Sequence, residues 1–148
     1  MSGLLRFRRT AALGLLLCAA ALAQTSGNTL KFSEMYSKVT VRGIEFSPKL
    51  EGLGGKTVAM VGFMAPPLKP KLDFFVLTKA PMSSCPFCTT SADWPPDIVL
   101  VIMPPGKELD PSTGALKVTG RLEYGIKKDD QTGFVSLVRL YADKVEVQ

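Results

Sequence analysis

Leu116-Lys117-Val118-Thr119-Gly120-Arg121-Leu122-Glu123-Tyr124 is the stretch whose reading decides the fold class. Leu116, Val118, Leu122 and Tyr124 alternate with Lys117, Thr119, Arg121 and Glu123. That period of two puts one set of side chains on each face of a strand, one face apolar and the other wet. Upstream, residues 98–103 (IVLVIM) form an unbroken apolar run that stops at Pro104-Pro105-Gly106. A strand with no polar face is central or buried on both sides. Residues 56–63 (KTVAMVGF) and 73–79 (DFFVLTK) read as two further strands. Downstream, 134–141 and 144–147 make the last strand, interrupted at Ala142-Asp143, and 125–133 (GIKKDDQTG) is a charged hairpin loop before it.

Five strands with no long amphipathic helix between them define an all-β domain. The connections are too short and too rich in proline for parallel crossovers through helices. A set of this size suits a five-stranded OB-like barrel, with a small β-sandwich as the alternative. Gly62 and Gly120, inside otherwise good strands, suit the sharp bends of a small barrel. Phe74-Phe75 straddles both faces of its strand, so one ring is core and the other is available outside.

Ahead of the barrel the patterns are weaker. Residues 24–30 read as a flexible polar tail, and 29–38 are compatible with one short helix. Residues 39–46 read partly as strand, with a break at Gly43, and 47–55 are a turn-rich connection. These form an N-terminal extension to a single domain over residues 31–148.

Residues 1–23 read as an address. Arg6, Arg8 and Arg9 precede an apolar run of small residues and leucines, and Ala21-Leu22-Ala23 is an A-x-A cleavage site. The run of about twelve residues is short of the roughly 20 needed to span a bilayer. Arg8-Arg9 leaves twin-arginine export beside the general route. Cys18 follows three leucines, a poor lipidation site. The expected location is periplasmic or secreted, with cleavage after Ala23 and no transmembrane segment in the mature chain.

Cleavage changes the charge. The chain of 148 residues carries 18 basic and 13 acidic residues, and removing three arginines leaves 15 against 13, or +2. That balance gives no electrostatic case for nucleic acid, which needs a clustered positive face. Oligonucleotide binding on the barrel is therefore a reading that only the fold class supports. The chain has no histidine. Ser-His-Asp triads, Cys-His dyads and His-metal sites are thereby excluded. Three cysteines cannot build a Cys₄ site in one chain.

Chemistry, where there is any, falls to residues 80–97 (APMSSCPFCTTSADWPPD), an 18-residue connection between strands. Connections this long without structure of their own are usually functional. This one holds Cys85 and Cys88, the chain's single tryptophan (Trp94), Met82 and four prolines. Four readings stand. A Cys85–Cys88 disulfide closes a tiny ring worth about 2 kcal/mol at most, a poor staple. A redox-active pair is suggested by Cys85-Pro86-Phe87-Cys88, which looks like the motif of glutaredoxins and periplasmic oxidoreductases. Their chemistry needs a thiolate at a helix N-terminus, and Trp94-Pro95-Pro96 stops any helix here at once. A soft-metal site would use Cys85 and Cys88 with Met82 as third ligand, suiting Cu(I), or would hold half of a Zn site shared with a second chain. A docking surface would use Phe87 and Trp94, which have interface composition.

The order of features resembles an uncharacterised family of small bacterial exported proteins with an OB-like core. Gly43-Ile44-Glu45-Phe46-Ser47-Pro48 matches its opening, and residues 53–64 match L-x-G-K-x-V-x-x-x-G-F-M. A strand at residues 75–77, a cysteine-and-proline loop and a V-x-G-x-L strand at 118–122 come after these in order. The match spans residues 43–148. It implies a periplasmic OB-like barrel and, for a partner, an exported or transporter-linked system. Many relatives carry one cysteine beside a histidine–proline stretch, where this chain has C-x-x-C and no histidine. The expected function is that of an exported, non-catalytic accessory or binding protein using loop 80–97 for soft-metal binding or for docking a periplasmic protein. The alternative is a periplasmic thiol–disulfide protein using Cys85 and Cys88.

Overall fold

The computed structural model describes residues 28–66, 73–83, 94–129 and 134–148. In chain order come β1 (Asn28–Thr29), β2 (Tyr36–Thr40), β3 (Gly43–Phe46), α1 (Pro48–Leu53), β4 (Thr57–Met64), β5 (Phe74–Thr78), β6 (Ile98–Ile102), β7 (Ala115–Lys128) and β8 (Val135–Val147). The last five strands close into a ring. β4 pairs antiparallel with β5 and β7, β5 with β6, and β7 with β8. The circuit is completed by one parallel pairing, β6 with β8. Closure in the order β4-β5-β6-β8-β7 makes an OB-like barrel and sets aside the sandwich alternative.

The alternation in β7 becomes the barrel's inner wall. Leu116, Val118 and Leu122 point inward with Val58 and Met60 of β4, Val99 and Val101 of β6, and Val138 and Leu140 of β8. Each such side chain contributes about 1.5–3 kcal/mol on leaving water. The bends fall at the two glycines. A Cβ on Gly62 would stand 2.9 Å from Leu77 Cγ, where β4 turns from β7 toward β5. A Cβ on Gly120 would run into the Tyr141 carbonyl and the Ala142 backbone.

Several boundaries differ from the sequence reading. The last strand runs unbroken from Val135 to Val147. The expected interruption is a β-bulge: Thr119 opposes Lys144 while Gly120 opposes Ala142, so Asp143 is the extra residue. β7 runs on to Lys128, so the hairpin loop shrinks to 129–134. A second bulge, with Gly125 at φ 103°, absorbs the bend in that long ribbon. The turn-rich connection at 47–55 contains a helix. Ser47 caps it by accepting a hydrogen bond from Leu50 N–H at 3.0 Å, and Pro48 occupies its first turn. The short helix expected in 29–38 is one 3-10 turn, Phe32–Glu34.

The partial strand at 39–46 spans the end of β2, a turn and β3 of one hairpin. β2 and β3 pair around Val41-Arg42, and Gly43 takes φ 141° as the chain reverses. Residues 28–30, placed in the tail by composition, belong to the fold: β1 pairs with β4 and Leu30 is buried in the core. The expected signal segment and residues 24–27 lie outside the described residues. No helix among the described residues is long and apolar enough to cross a membrane.

Candidate functional site

The outer face of β5 and β6 is as apolar as the inside. On β6, Val99 and Val101 face the barrel core, while Ile98, Leu100 and Ile102 face outward. On β5, Phe75 and Leu77 are core, while Phe74 and Val76 face out. The register places Phe74 opposite Ile102 and Val76 opposite Leu100, so the outward side chains form cross-strand pairs. Water does not reach most of this face. Ala65, Trp94 and Phe134, from three different connections, pack over it as a second apolar cluster. The Trp94 and Phe134 rings stand 6.1 Å apart at 57°.

Among the described residues the cover stops short of one end, beside a cleft of about 530 Å³. Its floor is Phe74, Leu100 and Ile102, with Met103 and Phe134 beside them. Pro104-Pro105-Gly106 forms a stiff wall after β6. Asp73 and Asp129 stand at the rim. Both are pinned through the backbone: Met103 N–H donates to the Asp73 carbonyl at 2.8 Å, and Asp129 N–H donates to the Phe134 carbonyl at 2.7 Å. No lysine or arginine lines the cleft among the described residues.

Loop 80–97 adjoins this face at both ends. Lys79 N–H donates to the Asp97 carbonyl at 3.1 Å, closing its neck. The buried Thr78 hydroxyl lies 2.7 Å from the Ala80 carbonyl and 3.1 Å from that of Phe63. Of the residues singled out in the loop, Met82 is exposed and Trp94 is half-buried. Cys85, Phe87 and Cys88 lie outside the described residues. Met60 and Met64 are packed in the core, and Met103 lines the cleft. Among the described residues no group of three or more histidine, cysteine or acidic side chains is placed to hold a metal.

Trp94 also reaches the N-terminal extension. Tyr36 Oη and Trp94 Nε1 are both buried without a hydrogen-bond partner of normal geometry. Burial pushes the Tyr36 phenol up to about 12, and the neighbouring indole N–H pulls it down by less. Tyr36 stacks on Phe46 (centroids 5.8 Å), and Phe46 meets the edge of Tyr124 (5.3 Å). The hairpin β2–β3 is thereby tied to β7 on one side and to the loop's tryptophan on the other.

Past the cleft the outer face becomes polar. Arg139, only 2% exposed, is registered beside Leu100 on one side and Glu123 on the other. Its guanidinium donates to the Gly125 carbonyl (2.9 Å), the Ser136 carbonyl (2.8 Å) and Glu123 Oε1 (3.1 Å). It braces the second bulge of the ribbon. Lys127 donates to Tyr141 Oη at 2.9 Å, and Arg121 lies over the Tyr141 ring at 4.5 Å. Burial pushes the Glu123 carboxyl up, but the Tyr141 hydroxyl, Arg139 and Lys127 outweigh it and hold the group below the usual carboxylate value.

Asp73, Asp129 and Phe134 do not stand out in the sequence as cleft residues. They come from two connections, the one before β5 and the β7–β8 hairpin, and barrel closure brings those together. The signal that is present is the doubly apolar run 98–103, because a second buried face requires something to cover it.

No family model matches the chain, and no curated protein matches it. Among solved structures, a DUF3299 family protein from Pseudomonas aeruginosa PAO1 is similar in fold. It shares 13% identity at a TM-score of 0.53, covering 83% of this chain and 97% of the other. That family is uncharacterised, as the resemblance read from residues 43–148 implied. At this identity the likeness is one of architecture.

Proposed function

We propose that this is an exported binding protein, without catalysis of its own, that takes its ligand in the cleft on the outer β5–β6 face. The observation that carries the reading is the cleft itself. It has an apolar, partly aromatic floor on rigid strands, few polar groups at its rim, and a volume of about 530 Å³, within the range of small-molecule sites. Its place in the fold supports the reading too. OB-like barrels use the face of their second and third strands and the loops beside it for recognition. Here those strands are β5 and β6. Loop 80–97 then acts through Trp94, which backs Phe134, rather than as the whole working surface. Export rests on residues 1–23, and docking to a transporter-linked partner rests on the resemblance.

The test is a titration of the secreted protein with the neutral dye N-phenyl-1-naphthylamine, read by amide NMR. Shifts centred on Phe74, Ile102 and Phe134 that vanish in Ile102→Arg, with the fold retained by circular dichroism, are expected. Shifts confined to residues 80–93, surviving Ile102→Arg and abolished by replacing Cys85 and Cys88 with serine, would move the function to the thiol pair.

A further inference from the structure

We infer that the tip of the β2–β3 hairpin is a membrane contact, a small apolar wedge set into the surface of an anionic lipid bilayer. None of the cleft's lining residues belongs to it. Val41 and Arg42 form the apex of the hairpin, positions that small or polar turn residues usually take. Val41 is fully exposed. Val39, itself half exposed, stands directly opposite the half-buried Ile44, so the two share one face of the hairpin. Lys38 and Glu45 oppose each other on the other face. The hairpin is held at its base, where Tyr36 stacks on Phe46 and Phe46 meets the edge of Tyr124. The apolar end is thereby carried on a fixed stalk.

Size, backbone and charge all favour lipid as the occupant. Val39, Val41 and Ile44 fall far short of the roughly 20–30 residues a side that a stable protein interface uses. A shallow insertion at the headgroup level needs only a few apolar side chains beside cations. A chain entering lipid must also bring its polar backbone satisfied. At this tip Thr40 pairs with Gly43, and the Thr40 hydroxyl donates to the Gly43 carbonyl at 3.2 Å while accepting from Arg42 N–H at 3.2 Å. Arg42 makes no ion pair among the described residues, and Lys38 is balanced by Glu45 at 3.7 Å. Two bases against one acid leave residues 36–46 at +1, the sign that suits lipid phosphate. Lys79 and Asp97, which line the hollow beside Val39, cancel each other. Export, proposed above from residues 1–23, brings the chain to a compartment bounded by such a surface. One net charge gives a modest preference, roughly fivefold for anionic over neutral lipid.

The experiment is co-sedimentation of the secreted protein at low salt with vesicles of equimolar phosphatidylcholine and phosphatidylglycerol, against vesicles of phosphatidylcholine alone. Binding should be roughly fivefold tighter to the anionic vesicles. Val41→Ser leaves the charge unchanged and should weaken binding to both about tenfold. Arg42→Gln should remove most of the preference for the anionic vesicles, as should raising the salt to about 0.5 M. Both side chains are exposed, so circular dichroism should report an unchanged fold in either variant. Amide NMR with bicelles of the anionic composition should show its largest changes at residues 39–44. Absence of binding to either vesicle overturns the inference, and so does binding that both variants retain in full. Self-association without lipid, seen by light scattering and abolished by Val41→Ser, overturns it too and assigns the tip to a second copy of the chain.

Discussion

The two sides of β6 are chemically alike and structurally unlike. Val99 and Val101 look inward, where five strands close around them and every neighbour is fixed by the ring of hydrogen bonds. Ile98, Leu100 and Ile102 look outward, where the cover among the described residues comes from Ala65, Trp94 and Phe134 on separate connections. The inner face is sealed by topology. The outer face is covered by side chains from connections, and among the described residues that cover does not extend over the cleft end. The difference shows that a strand buried on one side is enough to close the barrel, while its second apolar side depends on a cover that the barrel's own hydrogen bonding does not supply.

One deletion made on both sides breaks or sharpens that contrast. Leu140→Ala removes a fully buried side chain from the closed core and should cost about 3–4 kcal/mol in a urea melt. Leu100→Ala makes the same change at 8% exposure beside the cleft. Its surroundings can relax toward an existing opening, so about 2 kcal/mol is expected. Equal losses would mean that the outer cluster is as tightly packed as the core. The contrast would then rest on geometry alone.

The polar end of the outer face gives the next effect in size. Arg139 is buried and Glu123 is 31% exposed at its side chain, so Glu123→Gln withdraws the charge opposite a guanidinium that cannot reach water. About 2 kcal/mol at neutral pH is expected, below the figure for a wholly buried pair because Arg139 keeps its carbonyl partners. The pH dependence fixes the assignment. Glu123 is held below its ordinary value of 4.5 in the folded state, so its contribution is complete above about that pH. It is lost as pH falls through the lower folded value. The gap between wild type and Glu123→Gln should therefore be full at pH 7 and narrow toward pH 3. A gap constant across that range would show that the glutamate's charge is not what holds Arg139.

Legibility in the sequence divides along the same line. The barrel is legible because its signals are local: strict alternation at 116–124, an apolar run at 98–103, and glycines at the two bends. The bulge at Asp143 shows as a break because the small Ala142, although buried, and the exposed Asp143 interrupt the apolar pattern, while hydrogen bonding carries the strand through. Helix α1 escapes because six residues give too little periodicity. Its Ser47-Pro48 start is a capping signal that outweighs the turn-like composition. Leu30 reads as tail for want of a pattern in two residues of strand. The cleft is least legible. Asp73 meets Met103 across β5–β6 and Asp129 meets Phe134 across the β7–β8 hairpin, and no spacing rule links these two pairs, which closure of β6 onto β8 brings together.

The smallest effect tests the cover itself. Phe134 is half-buried and packs against Trp94 at the cleft, so Phe134→Ala deletes apolar contact that is only partly withdrawn from water. About 1 kcal/mol is expected, well under the cost of truncating an aromatic ring in a closed core. The more telling readout is fluorescence. Trp94 is the chain's single tryptophan, and its buried Nε1 has no hydrogen-bond partner of normal geometry. Removing Phe134 should admit water to the indole and move its emission to longer wavelength, while the barrel's unfolding remains one transition. An unshifted emission would mean that Trp94 is held from the Tyr36 side alone. Phe134 would then line the cleft without coupling it to loop 80–97, and the loop's residues would have no route by which to influence what binds there.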